Sequence, residues 1–151
     1  YGLINPVLEI KTKRGTVGNK KTFPLTQLKF DGATSLHKII AHLENNHLPI
    51  LVLEQLKQLE MKLVNSYSRR YYISFDKDFR ITIDSDLTYY KINNCNNIPY
   101  SLKHVDPRLI MEIKYNTSDQ NTDPSTMISN FFPFRLSRNS KYVNGINAIS
   151  I

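Results

Sequence analysis

The sequence predicts an α+β fold: an antiparallel β-barrel with a polar lumen, covered on the outside by a few helices. Charged residues, or in one case Thr82, stand at every second position in the segments 8–13, 79–84 and 111–115. Because successive side chains of a strand point to opposite faces, each segment has one charged and one apolar face. Between 36 and 64 the apolar spacing is helical instead, which is typical of helices that cover a sheet.

The N-terminal part of the chain predicts a β-hairpin. Residues 3–13 form the first strand, and Gly15 fits the turn that follows. Residues 17–25 are the returning strand, which Pro24 either ends or confines to a sheet edge. The hairpin is the first candidate wall of the barrel.

Two helices are predicted next. Ser35 can cap the first helix, whose apolar residues recur at helical spacing until Asn45 and Asn46 end it. The second helix is predicted over residues 50–64, where leucines again recur on one side. Both helices are expected to pack their apolar side on the sheet.

The remaining chain reads mainly as strands divided by polar turns. We predict loops at 93–100 and 116–122, a short helix at 123–130 and a basic tail from 134 onward. We predict strands at 67–75, 79–83, 87–92 and 109–115. A polar turn at 76–78 joins the first two of them.

Composition limits the functional classes. The chain has 151 residues, enough for one domain, with 20 Lys and Arg against 13 Asp and Glu and a net charge of +7. This charge favours an anionic partner but does not distinguish nucleic acid, polyphosphate, nucleotide or an acidic membrane. The single cysteine, Cys95, excludes an internal disulfide. The low cysteine content and the lack of an apolar run of about 20 residues favour a cytoplasmic location.

Two Glu-x-Lys units are the first candidates for chemistry. Glu9 and Lys11 share one strand face, as do Glu112 and Lys114. The carboxylate of each unit can bind a hard cation such as Mg²⁺ or Mn²⁺, and the ammonium can neutralise phosphate oxygens. A surface ion pair is the competing interpretation of each unit. The histidines form no zinc motif, and no nucleophile elbow or glycine-rich phosphate loop is present.

Arginines and a C-terminal cluster complete the candidate set. Arg69 and Arg80 lie in predicted strands, and their guanidinium groups match phosphate oxygens bidentately. The competing interpretation is that these arginines are solvated or paired with Asp76 or Asp84. A basic cluster near the end is either a solubilising tail or a phosphate-binding turn; its members are Arg135, Arg138, Ser140, Lys141 and Tyr142.

Placed in order, these residues resemble the VTC domain, the polyphosphate polymerase domain of vacuolar transporter chaperone proteins. That domain belongs to the triphosphate tunnel metalloenzyme, or CYTH-like, superfamily. The resemblance spans nearly the whole chain in the order of the family. Its motifs are PVLEIKTK at 6–13 with KKTFPL at 20–25, YSRRYY at 67–72, FRITID at 79–84, and LIMEIKY at 109–115 with SKY at 140–142.

The resemblance implies an antiparallel tunnel that holds ATP, triphosphate or polyphosphate, with Mn²⁺ or Mg²⁺ as cofactor. Glu112 would hold the metal, and Glu9 would orient Lys11 or support the metal site. Ser140, Lys141 and Arg80 would lie at the reacting phosphate as catalytic residues. The phosphate-binding residues implied are Lys11, Lys20, Arg69, Arg80, Lys114 and Lys141.

Some features depart from the family pattern. The family has an Arg-x-Arg pair before a Tyr-Gly, whereas this chain begins at Tyr1 and Gly2. We therefore expect residues 1–151 to be the C-terminal part of a single tunnel domain, completed by an N-terminal segment or a companion chain. We expect catalysis from the full-length protein rather than from this piece alone. A register slip of one residue would place Arg70 instead of Arg69 in the lumen.

The leading functional hypothesis is transfer of the γ-phosphate of ATP onto a polyphosphate chain. A hydrolase that cleaves triphosphate or polyphosphate needs the same cations and stays open as an alternative. A non-catalytic polyphosphate-binding module is the third reading. A nucleic-acid-binding domain rests on the net charge and on the aromatic residues that interleave with basic ones, and we expect no nucleic acid partner.

Overall fold

The computed structural model describes two compact units, each treated by itself. The first unit is Tyr1–Lys62 with Ile92–Tyr100, and the second is Leu63–Lys91 with Ser101–Ile151. The residues that the structure describes are 2–14, 17–29, 35–92, 100–115, 134–135 and 137–150.

The first unit begins with the predicted hairpin. Strands β2 (Val7–Arg14) and β3 (Val17–Pro24) pair antiparallel, with Lys11 opposite Lys20. The hairpin is confirmed, while the predicted turn at Gly15 lies outside the described residues. Two short strands, β1 (Gly2–Leu3) and β4 (Leu28–Lys29), also pair antiparallel.

Two helices follow in the same unit. Helix α1 (Leu36–Glu44) begins as predicted, because the Ser35 side chain accepts a hydrogen bond from the Lys38 backbone N at 3.3 Å. Helix α2 (Ile50–Lys57) ends earlier than predicted, since Leu63 belongs to the following strand and packs on the core of the sheet. No helix within the described ranges is long and apolar enough to cross a bilayer.

The second unit is built on one sheet. Its central strand is β6 (Phe79–Ile92), and three other strands pair with it. These are β5 (Leu63–Ile73), β7 (Tyr100–Asp106) and β8 (Ile110–Tyr115). The α+β class with antiparallel sheets is confirmed. The described strands form three sheets without closing into a barrel, so the barrel stays a prediction.

Strand β6 is longer than predicted because a bulge replaces the expected break. The pairing of β5 with β6 shifts between Ser66 and Ser68, and Asp86 adopts a positive φ of 55°. A bulge inserts an extra residue and moves the alternation of side chains by one. Leu87 and Tyr89 therefore point to the same side of the sheet as Asp84.

Helix α3 (Lys141–Ile149) covers that side of the sheet. Ile149 packs with Leu87 and Tyr89 in the buried core. A Cβ at Gly145 would lie 2.6 Å from side-chain atoms of Leu63 and Tyr89, so glycine permits this close approach. The sequence predicts a basic tail from 134 onward and no helix within it. The loop predicted at 93–100 is wrong at Tyr100, where β7 begins, and its other residues lie outside the described ones, as does the loop predicted at 116–122. The predicted helix at 123–130 lies outside the described residues.

Candidate functional site

One face of the sheet in the second unit carries most of the predicted site residues. Across β6, Arg69 of β5 lies opposite Asp84, and Lys114 of β8 lies opposite Arg80. Residues directly opposite each other in an antiparallel pair share a face, as do residues two apart in one strand. We call this surface the cationic face; its members are Arg69, Tyr71, Arg80, Thr82, Asp84, Glu112 and Lys114.

Asp84 connects two cations at one end of the cationic face. Its side chain is 1% exposed, and Arg69 donates to it bidentately, with Nε 2.6 Å from Oδ1 and Nη2 2.8 Å from Oδ2. Lys141 Nζ lies 2.6 Å from Oδ2. Hydrogen bonds from Arg69, and then from Lys141, lower the pKa of Asp84 to about 2. Asp84 is therefore ionised at neutral pH.

The ring of Tyr67 adds a second restraint on the same two cations. The Arg69 guanidinium carbon lies 5.1 Å from the ring centroid, and Lys141 Nζ lies 5.0 Å from it. Both distances are within the range of cation–π attraction. Arg69 and Lys141 keep 26% and 21% of their side chains exposed, so they are held in place yet remain accessible.

Helix α3 sets the position of Lys141. Lys141 is the first residue of the helix, and Ser140 is the N-cap, whose Oγ accepts a hydrogen bond from the Val143 backbone N at 3.4 Å. A serine hydroxyl is a favoured acceptor for the free N–H groups of a first helical turn. The structure thus gives Ser140 a capping role that the sequence interpretation had missed.

At the other end of the cationic face, the positive charges are less fully paired with carboxylates. Arg80 and Lys114 lie opposite each other, although like charges in that position destabilise a sheet. Lys114 Nζ is 3.5 Å from a Glu112 carboxylate oxygen, and Arg80 is exposed, with no ion pair to any residue that the structure describes. A phosphate group placed here would relieve the repulsion between the two cations.

Glu112 is the metal-binding candidate on this face. Its carboxylate is exposed, and no cluster of three metal-binding side chains occurs in the described parts of the chain. Mg²⁺ commonly takes only one or two carboxylates and completes its coordination with waters and substrate phosphates. Glu112 therefore fits a cation shared with a bound phosphate chain, but not a cage made by the protein alone.

The first unit holds a separate three-residue cluster. Glu9 bridges two lysines, with its oxygens 2.9 Å from Lys20 Nζ and 3.1 Å from Lys11 Nζ. Hydrogen bonds from Lys20, and then from Lys11, lower the pKa of Glu9. Both lysines are exposed. The geometry supports the predicted orienting role of Glu9 better than its predicted support of a metal.

The structure separates Arg69 from Arg70 and adds one residue to the predicted set. Arg69 lies on the cationic face, whereas Arg70 is paired with Ile83 and points to the other face. Asp84 is the added residue. From the sequence, Asp84 is only a possible partner of an arginine, because its contact with Lys141 depends on a helix that the sequence does not predict.

Comparison with known proteins gives one match. The family model described as the VTC domain matches residues 4–150, which include every predicted site residue. No curated protein and no solved structure matches this chain.

Proposed function

The chain belongs to the VTC domain family, and from this premise we propose that the protein is a polyphosphate polymerase-type phosphotransferase. It moves the γ-phosphate of ATP onto a polyphosphate chain. Family membership supports the coarser part of this statement, a function connected with polyphosphate. The finer part, the reaction itself, depends on the chemistry of the cationic face.

The observation that carries the proposal is the placement of Arg69, Arg80, Lys114 and Lys141 around one face. Two of these cations share one carboxylate, and Lys114 makes only the long contact with Glu112, so the face keeps an excess of positive charge. Arginine forks and lysine ammonium groups together suit a chain of phosphates with many oxygens.

In the proposed reaction, an oxygen of the terminal phosphate of the chain attacks the γ-phosphorus of ATP. The bond between the γ-phosphorus and the β–γ bridging oxygen breaks, ADP leaves, and a new phosphoanhydride forms. Catalysis of such transfers consists mainly of positioning and charge stabilisation. Lys141 and Arg80 are assigned to the reacting phosphates, Lys141 at one end of the face with Ser140 next to it at the helix N-terminus, and Arg80 at the other end.

The remaining candidates have supporting roles in the proposal. Arg69 and Lys114 bind further phosphates of the chain on the cationic face. Lys11 and Lys20 are the phosphate-binding candidates of the first unit. A Mn²⁺ or Mg²⁺ ion held by Glu112 and phosphate oxygens would supply additional neutralisation of charge.

The test is an assay of the full-length protein with ATP and Mn²⁺, in which polyphosphate chains are separated and quantified. Arg80→Ala and Lys141→Ala should each lower the rate of chain synthesis by about 100-fold or more, as for other charge-stabilising groups. Arg70→Ala is the matched control, because Arg70 is exposed on the opposite face of the same sheet and should leave the rate unchanged.

The products distinguish the alternatives. Chains that depend on Lys141 and Arg80 support the polymerase. Release of orthophosphate from triphosphate, without chains, would replace it by the hydrolase, and binding without turnover would replace it by the binding module. If both alanine variants synthesise chains at the wild-type rate, the cationic face is not the active site.

A further inference from the structure

One polar atom on the cationic face has no partner. Thr82 Oγ1 is buried and makes no hydrogen bond with any residue that the structure describes. Buried side-chain hydroxyls are bonded in the large majority of cases, so each exception calls for an explanation. The position of Thr82 suggests one.

Thr82 occupies the middle of the cationic face. Along β6 it lies between Arg80 and Asp84, about 6–7 Å from each at the rise of a strand. Across the sheet it lies between Tyr71 and Glu112. Its hydroxyl thus stands between the Asp84 cluster at one end of the face and the Arg80–Lys114 pair at the other.

The neighbouring carboxylates do not accept the Thr82 proton. Both oxygens of Asp84 are engaged by Arg69 and Lys141, and Glu112 is directed to Lys114. The Thr82 hydroxyl is therefore a hydrogen-bond donor without an acceptor, and cations surround it. An anionic oxygen placed here would accept this hydrogen bond and would also be attracted by the cations.

The other unpartnered hydroxyl makes a useful contrast. Tyr89 Oη is also buried without a hydrogen-bond partner among the described residues, but Tyr89 belongs to the apolar core with Leu87 and Ile149. Arg108 acts electrostatically on Tyr89 but is already paired with Asp106. Among the described residues, Thr82 is the unsatisfied donor whose strand neighbours include a cation without an ion pair, Arg80.

We propose that the Thr82 hydroxyl is a phosphate-binding group, which donates a hydrogen bond to a non-bridging oxygen of a linear phosphate chain. The proposal rests on the proposed function and names a further residue of the same site. Tyr71, which flanks Thr82 across the sheet, is 75% exposed, so its ring does not fix the surroundings of Thr82 by packing. Since the hydroxyl has already lost its water in the free protein, binding gains a hydrogen bond at little further desolvation.

The test compares two variants of the full-length protein that differ in the hydroxyl. Thr82→Val removes the hydroxyl and keeps the shape, and Thr82→Ser keeps the hydroxyl. Hydrogen bonds to charged groups predict binding of inorganic tripolyphosphate about tenfold or more weaker in Thr82→Val. Isothermal titration calorimetry measures the change, and Thr82→Ser should bind within about threefold of the wild type.

A second measurement separates binding from folding. Removing an unsatisfied hydroxyl should leave the ligand-free melting temperature of Thr82→Val unchanged or raise it. If this variant melts lower than the wild type and Thr82→Ala binds tripolyphosphate normally, Thr82 has a structural role and the proposal is overturned. Equal weakening by the Ser and Val variants would also overturn it, because Ser keeps the hydroxyl, so the loss would then follow from disturbed packing and not from the missing hydroxyl.

Failure of this inference is distinguishable from failure of the proposed function. Weak binding by Arg80→Ala together with wild-type binding by Thr82→Val would remove only Thr82 from the site. Absence of tripolyphosphate binding by the wild type would overturn both.

Discussion

A single carboxylate fixes the arrangement of two predicted phosphate-binding residues. Burial of Asp84 is tolerable because Arg69 occupies both of its oxygens and Lys141 adds a second positive charge. Removing one member of a buried cluster of charges leaves the remaining charges without a partner of opposite sign. The free energy lost in this way is larger than the net free energy that the intact ion pair contributes to stability. This asymmetry leads to a prediction about Asp84.

Asp84→Asn should lower the free energy of unfolding by about 3 kcal/mol, the magnitude typical of a broken buried ion pair. Urea denaturation at pH 7 measures the change. Asp78→Asn is the matched control, because Asp78 is exposed in the turn after β5 and is expected to change stability by less than about 0.5 kcal/mol. Equal stability of the two variants would mean that the Asp84 cluster does not hold the sheet and α3 together.

The same carboxylate makes a specific contribution to acid stability. The pKa of Asp84 is about 2 in the folded protein, compared with an ordinary value of 3.8. A lowered pKa stabilises the folded state fully above about pH 5, and this stabilisation, about 2 kcal/mol, is lost as the pH falls through 2. The stability difference between the wild type and Asp84→Asn should therefore shrink between pH 5 and pH 2. A difference that stays constant over this range would contradict the assigned pKa.

At the scale of secondary-structure elements, side-chain alternation predicted the strands but not their limits. Alternation places Glu112 and Lys114 on one face, as found. It fails at Ser85 and Asp86, where polar residues typical of a turn form a bulge instead and β6 continues. Local sequence does not distinguish these outcomes, because pairing with β5 decides between them.

Helix α3 could not be predicted for a related reason. Its sequence, KYVNGINAI, contains asparagines, a valine and a glycine, which are poor helix formers. The helix is stabilised by tertiary packing, chiefly of Ile149 on Leu87 and Tyr89. The contact of Lys141 with Asp84 depends on this packing. The sequence could therefore propose Lys141 as a site residue but could not identify its partner.

Gly145 offers a direct test of that packing. Gly145→Ala should improve helix propensity, yet we expect a net loss of about 1 kcal/mol in unfolding free energy, because the new methyl group overlaps Leu63 and the buried Tyr89 ring. Gly18→Ala in β3 is the control, since its Cβ would meet only the Thr12 carbonyl oxygen, at 3.9 Å. Thermal unfolding of both variants checks the result, and a stabilised Gly145→Ala would show that α3 packs less closely on the sheet.

At the scale of the whole molecule, a net charge of +7 attracts any polyanion. Attraction by charge alone is non-specific and weakens steeply with salt. A built site behaves differently, because fixed guanidinium and ammonium groups on one face add directional hydrogen bonds to the electrostatic attraction. The salt dependence of binding therefore distinguishes a phosphate-chain site from a generally basic surface.

We expect inorganic tripolyphosphate to bind with a shallower salt dependence than a single-stranded DNA oligonucleotide of mixed sequence. Between about 50 and 200 mM salt, binding carried by phosphate neutralisation along a nucleic acid falls by orders of magnitude. Tripolyphosphate should lose far less affinity, and excess oligonucleotide should not displace it at the higher salt concentration. Arg80→Ala should weaken tripolyphosphate binding much more than Arg70→Ala, although both remove one positive charge. Equal effects of the two substitutions, together with displacement by DNA, would mean that net charge rather than the cationic face selects the partner, and the nucleic-acid interpretation would then be preferred.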